Sequence, residues 1–212
     1  MDVDAAVIGS GPNGLVAAAL LARAGWRVVV LERAPEAGGA VRSAPLTVPG
    51  FVHDPWSAFY GLLHASPVFG ELELARRVAW SHFSVPVSAA VGPGAVALCH
   101  ADERATADGL ARRAPADGPA WQELCASWRR TGRHTLAMLL APLPSVRAAL
   151  RVLPGAWREG IFDTVRTQLA PIDAVAGERF TDPAARALLA AGASHGDVSV
   201  DMPGSTPGAV VL

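Results

Sequence analysis

Near the start of the chain, Gly9, Gly11, Gly14, Glu32, Gly38, Gly39 and Arg42 carry the residue types and spacing that suit a bound diphosphate. The first three glycines are spaced G-x-G-x-x-G, and each has a mechanical task. Gly9 lets the chain turn, Gly11 has no Cβ to hold a pyrophosphate away, and Gly14 lets the following helix lie close to its strand. Ser10, Pro12 and Asn13 fill the same loop, and Arg33 follows the acid; these four are secondary candidates. Glu32 is placed to accept hydrogen bonds from ribose hydroxyls. Because a carboxylate repels a 2′-phosphate, the expected ligand is an adenosine dinucleotide without one.

Such a loop works only if regular elements hold it. The apolar run Ala5-Ala-Val-Ile8 precedes it, an alanine-rich and leucine-rich stretch runs to Gly25, and Arg27-Val-Val-Val-Leu31 leads into Glu32. This reads as strand, tight turn, helix, strand. The helix begins at the diphosphate, with its unpaired N–H groups and positive dipole end facing the anion. A glycine-rich turn in an ordinary α/β domain would explain the bend but leave Glu32 without a task.

The next stretch separates the candidate dinucleotides. Gly38-Gly39 directly after the acid lets a second loop approach the same phosphates, and Arg42 offers a cation there. With Gly14, Ala18, Gly25, Glu32 and Gly38-Gly39-x-x-Arg42-Ser43, the chain resembles the FAD-dependent oxidoreductases of the glutathione-reductase-like superfamily, in the branch of amine oxidases and phytoene desaturases. Pro49-Gly-Phe-Val-His-Asp-Pro55 is more similar to the phytoene dehydrogenase-related subgroup. The resemblance implies FAD as cofactor and a small apolar substrate, polyene or isoprenoid-like, oxidised by hydride transfer to flavin. It also implies that the chain corresponds to the N-terminal portion of longer proteins, so that a complementary C-terminal half or a second copy would complete it. Many amine oxidases of the superfamily hold a water at the flavin with a lysine, and all 18 basic residues here are arginine, which counts against amine oxidation. Two other classes stay open: an NAD-dependent dehydrogenase, in which Gly38-Gly39 would have no evident task, and a non-catalytic flavin-binding half-protein that needs a partner chain.

The expected architecture is α/β, a Rossmann-like FAD-binding unit over 1–65 followed by a mostly helical, partial substrate domain over 66–212. Prolines at 45, 49 and 55 make 44–65 loop-rich. Within it His53, Asp54, Trp56 and Tyr60 either approach the flavin or substrate or serve as turn bonds and packing. Ser66-Pro67 opens an expected helix through Val78. Strands near 85–99 flank Gly92-Pro93-Gly94 and read as a hairpin with a three-residue turn. Helices are expected over Asp102 to Arg113, Asp117 to Leu140, Gly155 to Ala170, Ile172 to Phe180 and Pro183 to Ala193. The apolar stretch from His134 to Leu153, interrupted by Pro142 and Pro144, reads as a buried pair of short helices, with peripheral membrane contact as the alternative. His195-Gly196-Asp197 reads as a cap and turn.

Composition narrows the partners. The net charge is −1 and no basic block stands apart from the acids, so a nucleic-acid partner has no electrostatic support. Cys99 and Cys125 form no C-x-x-C pair and no metal-ligand spacing, which argues for reduced thiols in a cytoplasmic protein and against a disulfide reductase. No metal and no side-chain nucleophile are expected. The acidic start is unlike a secretory signal. No run of about 18 uncharged apolar residues is present to span a bilayer, which leaves the inner membrane face as a peripheral location at most.

Overall fold

The computed structural model describes residues 2–57, 59–140, 150, 161–195 and 198–209. The chain divides into two units, Met1–Leu74 and Ala75–Leu212.

In the first unit β-branched side chains favour extended backbone, and β1 (Ala5–Ile8) pairs in parallel with β2 (Val28–Leu31), in register from Ala5 with Val28 to Ile8 with Leu31. Between them runs helix α1 (Pro12–Arg23). Pro12 suits the first helical position because its φ is preset and its missing N–H would be unpaired there anyway. The helix closes at Gly25, whose left-handed φ of +91° brings its N–H to the Ala22 carbonyl at 3.0 Å. This is the Rossmann-like strand–helix–strand order expected from the sequence. At the start of the strands the Arg27 amide and guanidinium donate to the Asp4 carboxylate at 2.8–3.2 Å.

A short 3-10 turn (Gly39–Val41), an antiparallel bridge between Ala44 and His53, and the short helices α2 (Gly61–Ala65), α3 (Pro67–Glu71) and α4 (Leu74–Arg77) follow. The single helix expected through Val78 is broken after Glu71. Leu72 and Glu73 donate back to Val68 and Gly70, and Glu73 enters the left-handed region at φ +55°. The expected cap is present, since Ser66 Oγ accepts from the Val68 amide at 3.3 Å.

In the second unit β3 (Val87–Gly92) and β4 (Ala95–Cys99) form the hairpin. Its connection is Pro93-Gly94 rather than three residues. Gly92 still pairs with Ala95, and a register irregularity between Ala90 and Gly92 absorbs the extra residue. Helices α5 (Glu103–Ala111), α6 (Asp117–Leu139), α7 (Ile161–Leu169), α8 (Ile172–Arg179), α9 (Pro183–Ala193) and α10 (Thr206–Ala209) complete the described elements. Aspartate caps open two of them: Asp102 accepts from Arg104 at 3.0 Å and Asp182 from Ala184 at 2.8 Å.

The core lies among these helices and the hairpin, with Ala107, Leu110, Trp121, Ile172, Phe180 and Leu188 all buried. Trp121 and Phe180 pack as tilted rings 6.2 Å apart. Asp117 is wholly buried at the start of α6, and its two oxygens accept the Thr181 and Asp182 amides at 2.8 Å each. One carboxylate thereby ties α6 to the turn between α8 and α9, and it satisfies two amides that the turn would otherwise bury unpaired. Of the expected apolar pair over 134–153, residues 141–149 and 151–153 lie outside the described residues, as do 155–160 of the helix expected to reach Ala170, and Gly196 and Asp197.

Candidate functional site

The turn between β1 and α1 is built from the backbone outward. Gly9 adopts φ +93°, and its amide donates to the Leu31 carbonyl at 2.7 Å, fastening the turn to the end of β2. A Cβ on Gly14 would stand 2.2 Å from the Gly9 carbonyl oxygen, so α1 crosses the turn at a distance only glycine permits. At Gly11 the reverse holds. Nothing lies within 4 Å of where its Cβ would be, so the loop is open on that side. Gly11 is also the N-cap of α1, with no side-chain cap bond and no acid in the first turn. The helix therefore presents its positive end there with no carboxylate in its own first turn.

Glu32 closes one side of the cradle. Its Oε2 accepts from both the amide and the hydroxyl of Ser10 at 2.7 Å, and its Oε1 accepts from the Ala34 amide at 2.7 Å. These donors hold its carboxyl down at about 2, the Ala34 amide contributing most and the Ser10 hydroxyl and amide next. Oε1 keeps acceptor capacity beyond its one bond, since an ionised carboxylate has about four lone-pair sites. Ser10 is buried, and its carbonyl accepts the Gly38 amide at 2.9 Å, so its amide, hydroxyl and carbonyl are all engaged within the protein. Its place in the site is to join the first loop, the acid and the second loop.

The second glycine pair meets the first loop directly. Gly39 sits at φ +55°, and a Cβ there would come 2.8 Å from the Gly11 Cα. Arg42 folds back, its Nε donating to the Gly39 carbonyl at 3.3 Å, and its side chain is exposed. Gly9, Ser10, Gly11, Gly14, Glu32, Gly38 and Gly39 thus converge, with Pro12, Asn13 and Arg42 at the exposed rim. Arg33 is exposed beyond Glu32, and among the described residues no side-chain hydrogen bond ties it to the glycine loops.

His53 and Asp54 make local bonds. His53 pairs with Ala44 through both backbone groups, its Nε2 lies 2.7 Å from Thr47 Oγ1, and Asp54 accepts from the Ser43 hydroxyl. Trp56 is exposed, and Tyr60 precedes α2. His195 Nδ1 lies 3.0 Å from the Ala191 carbonyl at the end of α9, a helix-end contact. Among the described residues no group of three or more His, Cys, Asp or Glu is placed to hold a metal, and no helix is long and apolar enough to cross a membrane.

The cradle's geometry agrees with what comparison with known proteins finds. Residues 7–68 match the NAD(P)-binding Rossmann-like domain. A limonene dehydrogenase chain of Castellaniella defragrans is 30% identical over 128 residues, which is 60% of this chain and 23% of that protein. Pyridine nucleotide-disulfide oxidoreductase domain-containing protein 2 of Rattus norvegicus is 39% identical over 87 residues, 41% of this chain and 15% of the relative. The inactive all-trans-retinol 13,14-reductase of Danio rerio is 46% identical over 63 residues, 30% of this chain and 10% of the relative. The chain spans less than a quarter of the length of each of these relatives. The matched Rossmann-like domain contains the whole glycine and glutamate cradle.

Two features of the second unit were not singled out from sequence: the buried Asp117 and a cavity along α6. Their signals were present but ordinary. Asp117-Gly-Pro reads as a helix start, and Trp121, Leu124, Cys125 and Trp128 recur at helical spacing as any core-facing stripe does.

Proposed function

We propose that this chain is the FAD-binding N-terminal part of an oxidoreductase that acts on an apolar, polyene or isoprenoid-like substrate in the manner of phytoene desaturases. The observation that carries the reading is the contact of the second glycine loop with the first: Gly38 is bonded to Ser10, and Gly39 touches Gly11. A single glycine loop serves any dinucleotide fold, whereas two in contact give the diphosphate walls on two sides. The comparisons add support for the substrate class, since two relatives are named for limonene and for all-trans-retinol, both apolar molecules.

In this reading the α1 amides and the loop beside Gly11 hold the pyrophosphate, and Glu32 accepts from the adenosine ribose through Oε1. Arg42 supplies positive charge at the rim. Bound flavin supplies the hydride acceptor, and the protein supplies position, dryness and electrostatics. No catalytic side chain is assigned.

The exposed apolar sheet face, with Ile8 88% and Leu31 54% exposed, supports a complementary segment, partner half or second copy covering it. A nicotinamide cofactor is the second reading, favoured by the description of the matched domain as NAD(P)-binding. A non-catalytic half-protein is the third, and the inactive relative gives it a precedent. Purified chain mixed with FAD or with NADH and then desalted separates the first two. Retained visible flavin absorbance supports the proposal, and retained NADH fluorescence without flavin sinks it. Reduction of the flavin-loaded chain by an apolar donor, with any complementary half supplied, separates enzyme from scaffold.

A further inference from the structure

The second unit holds a cavity of about 410 Å3, toward the lower end of the roughly 300–1,000 Å3 typical of small-molecule sites. The α6 stripe of Trp121, Leu124, Cys125 and Trp128 lines it, joined by Cys99 from β4 and Leu188 from α9. Indole, leucine and thiol surfaces favour hydrocarbon. The two thiols are uncharged at neutral pH: burial, aided by the nearby Glu103 charge, pushes Cys125 up to about 11, and burial raises Cys99.

Glu103 and Arg129, the two oppositely charged side chains on the lining, are paired with each other. A carboxylate ligand would meet the like charge of Glu103 at the lining, whereas a neutral ligand meets no such repulsion and leaves the pair intact. The shape of one wall is also built in. Glycine inside a helix is unfavourable relative to alanine, yet a Cβ on Gly132 would come within 2.5–2.9 Å of three ring atoms of Trp128. Gly132 therefore gives the indole room to lie against its own helix.

We infer that this cavity binds a compact neutral molecule, mostly hydrocarbon with at most a hydroxyl or carbonyl, and that Gly132 shapes it by positioning Trp128. The inference does not depend on which nucleotide the first unit holds.

Cys99 and Cys125 are the chain's two cysteines, and both line the cavity, so the rate at which a maleimide labels the folded chain reports on that cavity alone. A saturating decalin alcohol should slow labelling about tenfold, and decalin carboxylate at the same concentration less than about twofold. In Glu103→Gln, with Arg129 released, the carboxylate should protect about as well as the alcohol. Gly132→Ala should weaken protection by the alcohol about tenfold through displacement of the ring. If that variant fails to fold, Trp128→Leu with unchanged circular dichroism should show the same loss. Equal protection by alcohol and carboxylate in the native chain, or none by either, overturns the inference. So does a Glu103→Gln chain that still rejects the carboxylate, or undiminished protection in the folded Gly132 or Trp128 variant. None of these readouts involves flavin or turnover, so their failure leaves the nucleotide reading standing.

Discussion

Among the described residues of Met1–Leu74 only Ser10 and Ala18 are buried, whereas Ala75–Leu212 buries Phe180, Ile172, Val175, Leu188, Leu189 and others in one cluster. The candidate nucleotide site therefore depends on backbone conformation and hydrogen bonds, while the helical unit depends on side-chain packing. A backbone-defined site tolerates almost no added carbon at its contact glycines. A packed unit suffers most from lost carbon.

Truncation of the core is the largest expected effect. Phe180→Ala should destabilise the second unit by about 3–5 kcal/mol, read as a shifted denaturation midpoint. The contrast between the units breaks if nucleotide retention is lost in conditions where that variant is still folded.

Added carbon in the cradle comes next. Gly14→Ala and Gly39→Ala should each cost about 1–3 kcal/mol through overpacking and should abolish nucleotide retention after desalting. Their counterpart in the second unit is Gly177 in α8, where nothing lies within 4 Å of an added Cβ. There Gly177→Ala should stabilise by about 0.5–1 kcal/mol, and a loss of stability would show that open space is not what separates the two sites.

A pH titration sharpens the contrast further. Glu32 has a folded-state value lowered from 4.5 to about 2, so its contribution to the first unit is fully present above about 4.5 and is lost as pH falls through about 2. Nucleotide retention in the native chain should hold steady down to the ordinary carboxylate range and decline below it. Glu32→Gln should flatten that decline, and an unchanged profile in the variant would assign the loss to another group.

The smallest effect belongs to a surface pair. Arg166 and Glu178 meet at 3.2 Å with both side chains more than half exposed, so Arg166→Ala should change stability by no more than about 0.5 kcal/mol.

The first unit was legible because its demands fall on residue types that have few other reasons to recur at such spacings. Gly14 and Gly39 exclude every Cβ, and Glu32 must be acidic to bind Ser10 and Ala34 as it does. The helices of the second unit were legible through their caps, as Asp102 and Asp182 show, and Ser66 marked a helix start in the first in the same way. The long-range features of the second unit were not. That Asp117 reaches the Thr181 and Asp182 amides, or that Cys99 and Cys125 share a cavity, depends on how helices distant in sequence are brought together, and local pattern carries no record of that. The broken helix after Glu71 was missed for a related reason: the left-handed turn falls on Glu73, a residue type that gives no warning of it. The two-residue hairpin turn was missed because Gly92 suits either a loop or an irregular strand end.

Glu32 is moored to Ser10 and Ala34 with no ligand needed to hold it. An arriving nucleotide therefore finds that wall already standing, and little ordering has to accompany its capture. The consequence is kinetic: association should proceed in one phase whose rate grows linearly with nucleotide concentration, and differences in affinity between nucleotides should come from how readily each leaves.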